Sequence, residues 1–179
     1  MQKSGSGFDN IIKKAKDLQK LKIEVGWFDG LRYPEKQENI NNNKKNKSKL
    51  LSKKESPTVA NIAIIQEYGS PKQGIPSRSF IRSSIKENRQ DIAKLFSSGL
   101  KSVLKEKETI ENVYEGVGLR ASKLISKKIT QIQEPPLKEA TVKARAKKLS
   151  NKKITASLRK PLVDSGFMLS SLTHVVSKK

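Results

Sequence analysis

The chain has 179 residues, a length that suits one domain, and its 34% hydrophobic and 5% aromatic residues are few for a compact globule. Lysine and arginine number 38 against 17 acidic residues, so the formal net charge of +21 favours polyanionic partners: nucleic acid, an anionic membrane or an acidic protein surface. The sequence contains no cysteine, which excludes disulfides, thiolate metal sites and a cysteine nucleophile, and no apolar run approaches the roughly 20 residues that cross a bilayer.

The N-terminal part predicts a helix followed by a strand. Apolar residues recur at helical spacing over residues 8–21, which predicts a short amphipathic helix. Apolar and polar residues alternate over Lys22–Phe28, which predicts a strand with one buried face. Asp29 and Gly30 then indicate a turn. Residues 35–57 are rich in Lys and Asn and low in complexity, so we expect a long flexible basic loop there.

A helix is predicted after this loop. Ser56 has the character of an N-cap and Pro57 that of a first helical residue, and Gly69 is placed to end the helix in a left-handed conformation. Residues 70–79 hold two prolines and a glycine, which indicates an ordered turn or an extended arm. The inner face of the helix is expected at Val59, Ile62, Ala63 and Gln66.

Two longer helices are expected in the second half of the chain. Apolar periodicity predicts one over residues 80–105 and another over residues 109–133, which Pro135 would end. In the second of these, Gly116 and Gly118 indicate either a kink or a close helix contact, since each glycine weakens a helix by roughly 1 kcal/mol relative to alanine.

The C-terminal part of the sequence predicts several short elements. Residues 138–148 predict a short basic helix, residues 148–160 a second flexible basic loop, and Asp164 is interpreted as the cap of one helical turn. Thr173–Ser177 predicts a closing strand. The sum is a single α+β domain over residues 1–179: a small antiparallel sheet packed with two long helices and carrying two flexible Lys/Asn-rich insertions.

Two stretches hold a high density of positive charge. Residues 41–54 contain six lysines, residues 143–160 contain eight Lys or Arg, and neither stretch has an acid. Either could touch DNA through backbone phosphate without sequence specificity, and either could equally be a solvated loop. The candidate DNA-facing residues are Lys44, Lys45, Lys47, Lys147, Lys148, Lys152 and Lys153.

Catalytic patterns are weak. Asp164-Ser165-Gly166 is the local triplet of aspartic proteases, but such an enzyme needs two carboxylates that share a proton, so a structural turn is the preferred interpretation. His174 is the only histidine and cannot build a multi-histidine site. A metal cluster drawn from Glu24, Asp29, Glu67 and Asp164 has no supporting spacing. We therefore expect no enzymatic activity, no metal and no cofactor.

Five short segments, taken in order, carry a family resemblance. They are IEVGWFDG at 23–30, VANIAIIQEYG at 59–69, GIPSRSFIR at 74–82, PPLKEATV at 135–142 and KPLVDSGFMLSSL at 160–172. The pattern resembles the neck and tail-completion proteins of tailed bacteriophages, also called virion morphogenesis proteins. Ser79 departs from it, because the family usually has proline at that position.

The resemblance implies a structural virion protein at the head–tail junction of a phage, a prophage or a domesticated particle such as a gene transfer agent. The protein would be made in the host bacterial cytoplasm and assemble as a homo-oligomeric ring, of six copies by resemblance, around the DNA channel. Its neighbours would be a head-completion, stopper or portal-side protein and a tail terminator or tail tube protein, with no membrane partner. Composition alone favours the alternative, a non-specific nucleic-acid-binding protein.

The resemblance also implies roles for particular residues. Those of an inter-subunit arm would be Ile75, Pro76, Arg78, Phe80 and Arg82, with the alternative that Phe80 is merely the first core residue of its own helix. Those of structural turns and caps would be Gly69, Asp164, Ser165 and Gly166.

Overall fold

Seven helices and one antiparallel strand pair make up the described part of the chain, an α+β fold as the sequence predicts. The computed structural model describes residues 5–28, 30–33, 56–148 and 155–179. The helices are α1 (Gly5–Gln19), α2 (Val59–Tyr68), α3 (Ile81–Glu87), α4 (Arg89–Leu104), α5 (Ile110–Gln131), α6 (Glu139–Lys148) and α7 (Phe167–Ser170). The strands are β1 (Leu21–Gly26) and β2 (Thr173–Lys178).

The sheet joins the two ends of the chain and lies against α5. Its register runs from Leu21 opposite Lys178 to Gly26 opposite Thr173. On the inner face, a Cβ placed on Gly118 would lie 2.9 Å from Cγ of His174 and 3.2 Å from Cγ2 of Ile23, so the missing side chain lets the sheet approach the helix. The predicted close contact at this glycine is therefore with the sheet, and α5 runs without a break.

The helix predicted over residues 80–105 is in fact two helices. It breaks at Asn88, whose backbone N–H and side-chain amide both donate to the carbonyl of Ser84, at 3.1 and 2.8 Å. A side chain that occupies the carbonyl of the preceding turn ends a helix well. The apolar periodicity continues across the break, so the periodicity alone does not reveal that there are two helices.

A central core lies where α2, α3, α5 and the C-terminal segment meet. Its buried residues are Val59, Ala63, Phe80, Ile125, Ile129, Leu162 and Met168. At the other end of α5, Phe96 and Tyr114 pack edge to face with ring centroids 5.5 Å apart. The long helix α5 is therefore the element against which α4, α3 and both strands of the sheet pack.

The predicted start of α2 is wrong, and its predicted inner face is confirmed at Val59 and Ala63 only. The N-cap is Thr58 and not Ser56, since Oγ1 of Thr58 accepts the N–H of Asn61 at 3.2 Å. The helix starts at the next residue, two positions later than a helix with Pro57 as its first residue. On the inner face, the buried polar residue is Glu67 and not Gln66.

The two predicted loops fall mostly outside the described residues, namely over 34–55 and 149–154. Where residues 155–160 are described, the expectation of a flexible loop is wrong. Ala156–Arg159 form a 3-10 turn, and Leu158 is buried against α6 in a second small cluster with Val142 and Ala146. Among the described helices, none is long and apolar enough to cross a membrane.

Candidate functional site

A buried carboxylate joins the second and third segments of the resemblance. Glu67, in the last turn of α2, is only 3% exposed. Its Oε2 accepts the backbone N–H groups of Phe80 and Ile81 at 2.7 and 2.9 Å. Its Oε1 accepts the Ser79 hydroxyl at 2.8 Å, and the backbone N–H and Nε of Arg82 at 3.1 and 2.9 Å. These backbone donors lie at the start of α3, so a side chain from another helix caps it.

The turn at Gly69 makes this cap possible. Gly69 ends α2 as predicted, but its φ of 80° and ψ of 172° lie outside the predicted left-handed helical region, in one that is essentially restricted to glycine. A Cβ there would lie 2.7 Å from the backbone nitrogen of Ser77 and 2.9 Å from the carbonyl oxygen of Ile75. The chain reverses at this point, and the N–H of Arg78 then bonds the carbonyl of Gln66 at 2.7 Å. The reversal brings the start of α3 back onto the end of α2.

Two opposing influences set the pKa of Glu67. Burial alone would raise it, because a low-dielectric site disfavours the charged form. The hydrogen bonds from Ile81, Arg82, Ser79 and Phe80 stabilise the carboxylate and outweigh burial, so the pKa lies below its ordinary value of 4.5. The group is therefore ionised at neutral pH, with both oxygens engaged, and it acts as a structural acceptor.

A buried arginine joins the third segment to the fourth. The side chain of Arg78 is 4% exposed. Its Nε and Nη2 donate to the carbonyls of Pro135 and Pro136 at 2.7 and 3.0 Å, and its Nη1 donates to Oε1 of Gln66 at 3.1 Å. Burial, and secondarily the charge of Arg145, lower the pKa of Arg78.

The first and fifth segments close the same unit. Trp27 donates its indole N–H to the carbonyl of Met168 at 2.8 Å and packs edge to face on Phe80 at 6.1 Å. Arg145 of α6 is buried, and its Nε lies 3.3 Å from Oδ1 of Asp164. Its guanidinium donates to the carbonyls of Leu158, Lys160, Pro161 and Val163 at 2.6–3.3 Å. Hydrogen bonds therefore join the second, third and fourth segments and, separately, the first and fifth, and the packing of Trp27 on Phe80 brings the two groups together.

The residues expected in an inter-subunit arm divide into two groups. Phe80 is 0% exposed in the core of its own chain. Arg78 donates to backbone carbonyls elsewhere in the same chain, so neither side chain is accessible to a neighbouring subunit. Phe80 is a core residue of its own chain, as the alternative interpretation proposed. The prediction that Phe80 and Arg78 belong to an inter-subunit arm is therefore wrong. Pro76 is exposed, Ile75 is half-buried, and Arg82 remains partly exposed although it pairs with Glu67 of its own chain.

The C-terminal turn is built differently from the expectation. Asp164 is not a helix cap: it pairs with Arg145, and the residue before α7 is Gly166, with φ of 76° in the left-handed region. The hydroxyl of Ser165 accepts the N–H of Phe167 at 3.3 Å. Asp164 thus anchors the segment to α6 through charge.

The remaining candidates show no catalytic constellation. Lys147 is exposed on α6, whereas Lys44, Lys45, Lys47, Lys152, Lys153 and the side chain of Lys148 lie outside the described residues. Glu24 pairs with Lys22 at 3.0 Å on the outer face of the sheet, and Asp29 is not described. Nε2 of His174 lies 2.8 Å from Glu115. In the described ranges, no group of three or more His, Cys, Asp or Glu could hold a metal ion.

Sequence reasoning missed the roles of Glu67, Arg78 and Arg145 inside their own chain. Charged residues are rarely buried, so pattern rules place them on the surface. Compared with known proteins, the chain matches no family model, no curated protein and no solved structure.

Proposed function

We propose that the chain is a structural virion protein of a phage or phage-derived particle, located at the head–tail junction in the neck or at tail completion. It would assemble as a closed ring of copies around the DNA channel, since head-to-tail contacts that close by rotation give rings. Six copies follow from the resemblance alone. The portal-side or stopper protein and the tail terminator or tube protein would be its neighbours, and its role would be non-enzymatic.

One observation carries the proposal. The five resemblance segments are scattered between residues 23 and 172, yet the first, second, third and fifth meet around one core. Glu67 caps the third segment, Arg78 holds the fourth, and Trp27 reaches the fifth. Specific hydrogen bonds of this kind are what a motif set that encodes one fold requires. This supports reading the resemblance as a whole.

A contact surface between copies is available beside the arm. Ile64 and Tyr68, one helical turn apart on α2, are 57% and 61% exposed, and the guanidinium carbon of Arg82 lies 4.3 Å from the centre of the Tyr68 ring. A helix that is apolar on all sides is normally covered, and Tyr and Arg are frequent anchors of interfaces. Exposed Pro76 lies next to Gly69, the residue that follows Tyr68, so we assign Pro76 and this face to the ring contact.

The ring contact is tested by the double variant Ile64→Ser, Tyr68→Ser, with Leu119→Ser, an exposed residue of α5, as control. Light scattering after size exclusion should give the molar mass of an oligomer for the wild type and the control, and the molar mass of a monomer for the double variant. A ring in all three would place the contact elsewhere.

The virion role is tested by deleting the gene from the phage or prophage and imaging the particles by electron microscopy. DNA-filled heads lying apart from tails would support joining, and tails with abnormal length or unfinished ends would support tail completion. Supplying the wild-type gene on a plasmid should restore normal particles. Infectious particles with normal morphology in the deletion would overturn the proposal.

The second candidate function is non-specific nucleic-acid binding, which the net charge of +21 favours. Such a protein binds DNA as a free chain, with affinity that falls by orders of magnitude between low and moderate salt. A ring protein around the DNA channel would also meet DNA phosphate, so the gene deletion, and not binding alone, separates the two candidates. Normal particles in the deletion, together with tight binding by the monomer, would favour this candidate.

A further inference from the structure

Positive charge surrounds α6 in the described part of the chain. Lys143 and Lys147, one turn apart, are exposed on its outer face. Lys138 precedes the helix, and a Cβ built on Gly74 would lie 2.8 Å from its Nζ, so this ammonium sits against the loop that carries exposed Lys72. The loop that carries Lys72 therefore lies beside the start of α6, and its positive charge adds to that of the helix.

Two buried guanidinium groups reinforce this surface from below. The three acceptors of Arg78 are neutral carbonyl oxygens, so no carboxylate among them cancels its charge. Arg145 is also buried, and its charge, after burial, is the second cause that lowers the pKa of Arg78. Charges in a region of low dielectric project a stronger potential than solvated ones.

The acids nearby are too few to neutralise the surface. Asp164 pairs with Arg145 at 3.3 Å, and Glu139 pairs with Arg159 at 2.6 Å. Glu134 is exposed before the start of α6. These three carboxylates face five further cations, which are Lys72, Arg78, Lys138, Lys143 and Lys147.

The same face is polar. None of the exposed large apolar side chains in the described residues lies between 134 and 147 or between 155 and 160, and the exposed apolar residues of α6 are Ala140 and Ala144. Interfaces with DNA are more polar and far more positive than interfaces between proteins. An interface with an acidic protein would also need exposed apolar side chains at its centre, and this face has no large ones among the described residues.

We propose that the outer face of α6, together with the loop that carries Lys72, binds the phosphate backbone of duplex DNA without sequence specificity. This deepens the part of the proposed function that concerns DNA, and it places the contact on a folded helix. It stands separately from the virion role, because a basic face can bind DNA whether or not copies form a ring.

The test is fluorescence anisotropy with a labelled duplex of 30 base pairs at several salt concentrations. The variant replaces Lys138, Lys143 and Lys147 with Gln, and the control replaces the exposed Lys101, Lys105 and Lys107 with Gln, an equal change in net charge. Each lost phosphate contact lowers the slope of log K against log salt by about 0.9. Three contacts lower it by about 2.7, or roughly 500-fold in affinity at 0.1 M salt if the non-electrostatic part is unchanged.

Each result decides the inference. Loss in the α6 variant with the control close to the wild type supports it, once circular dichroism shows both variants to be folded. Equal losses in the two triple variants would mean that net charge alone matters, and would overturn it. Failure of the wild type to bind DNA at low salt, or equally tight binding of polyglutamate, would overturn it as well. None of these results changes what the gene deletion reports about the virion role.

Discussion

Replacing Glu67 with alanine removes the acceptor of five hydrogen bonds at once. The backbone N–H groups of Phe80 and Ile81 then lose their partner in a buried site. Each buried donor left without an acceptor costs about 1–3 kcal/mol, so the two together cost about 2–6 kcal/mol. We expect the free energy of unfolding of Glu67→Ala to fall by about that amount.

The variant Glu67→Gln separates charge from shape. The amide fits the same space and keeps one accepting oxygen, but its NH₂ group must face N–H or O–H donors. A buried donor without an acceptor costs about 1–3 kcal/mol, so we expect a loss of about 2–3 kcal/mol at neutral pH. This variant also serves if Glu67→Ala does not fold.

The pH dependence has a definite sign. Because the folded-state pKa of Glu67 lies below 4.5, the folded chain binds fewer protons than the unfolded chain in that range. Its stabilising contribution is complete above about pH 4.5 and is lost as the pH falls through the folded-state pKa. Since glutamine does not titrate, the difference between the wild type and Glu67→Gln should narrow in the acid range.

The assay is urea unfolding followed by circular dichroism between pH 7 and pH 3. Glu87→Gln is the matched control, because Glu87 is an exposed carboxylate paired with Lys128 at 2.6 Å. It should change stability by less than about 1 kcal/mol. The reasoning is refuted if Glu67→Ala costs no more than the control, or if the Glu67→Gln difference stays constant down to pH 3.

Two further pairs of variants test packing, with unfolding free energy as the readout. Gly118→Ala should destabilise the chain by about 1–3 kcal/mol because its Cβ meets the ring of His174, whereas Gly116→Ala, whose Cβ meets nothing within 4 Å, should stabilise α5 by up to about 1 kcal/mol. Equal effects would contradict the close approach of sheet and helix. Ser84 is buried and its hydroxyl has no partner among the described residues, so Ser84→Ala should stabilise by up to about 1 kcal/mol. Ser122→Ala loses a 3.0 Å bond to the carbonyl of Gly118 and should destabilise slightly, and the opposite order of the two serine variants would count against this account.

Elements with a strong local pattern were predictable from the sequence. The apolar stripe of α5, the alternation in β1 and the glycine at position 69 each follow from a rule about neighbouring residues, and the structure places these elements close to where the sequence puts them. The α+β class follows from their sum. These features need no knowledge of which distant residues meet.

The contacts of the buried charges were not predictable in the same way. A Glu beside a Gln on an apolar helix gives no sign that it will cap another helix, because the donors of α3 lie more than ten positions away. Asp164 has the spacing of a helix cap, yet it forms an ion pair with the buried guanidinium of Arg145. The one local signal that was overlooked is Asn88, a residue type that favours helix ends and that divides α3 from α4.

The pairing of β1 with β2 has a consequence for synthesis on the ribosome. Glu24 and Ser177, which bond across the sheet, are 153 positions apart. At 5–20 residues per second, β2 is made about 8–30 s after β1. During that interval the helices can pack, but β1 has no β2 to pair with. The surface of α5 at Gly118, which His174 of β2 contacts in the folded chain, is then not covered by β2. A chain cut short before β2 therefore lacks the finished sheet.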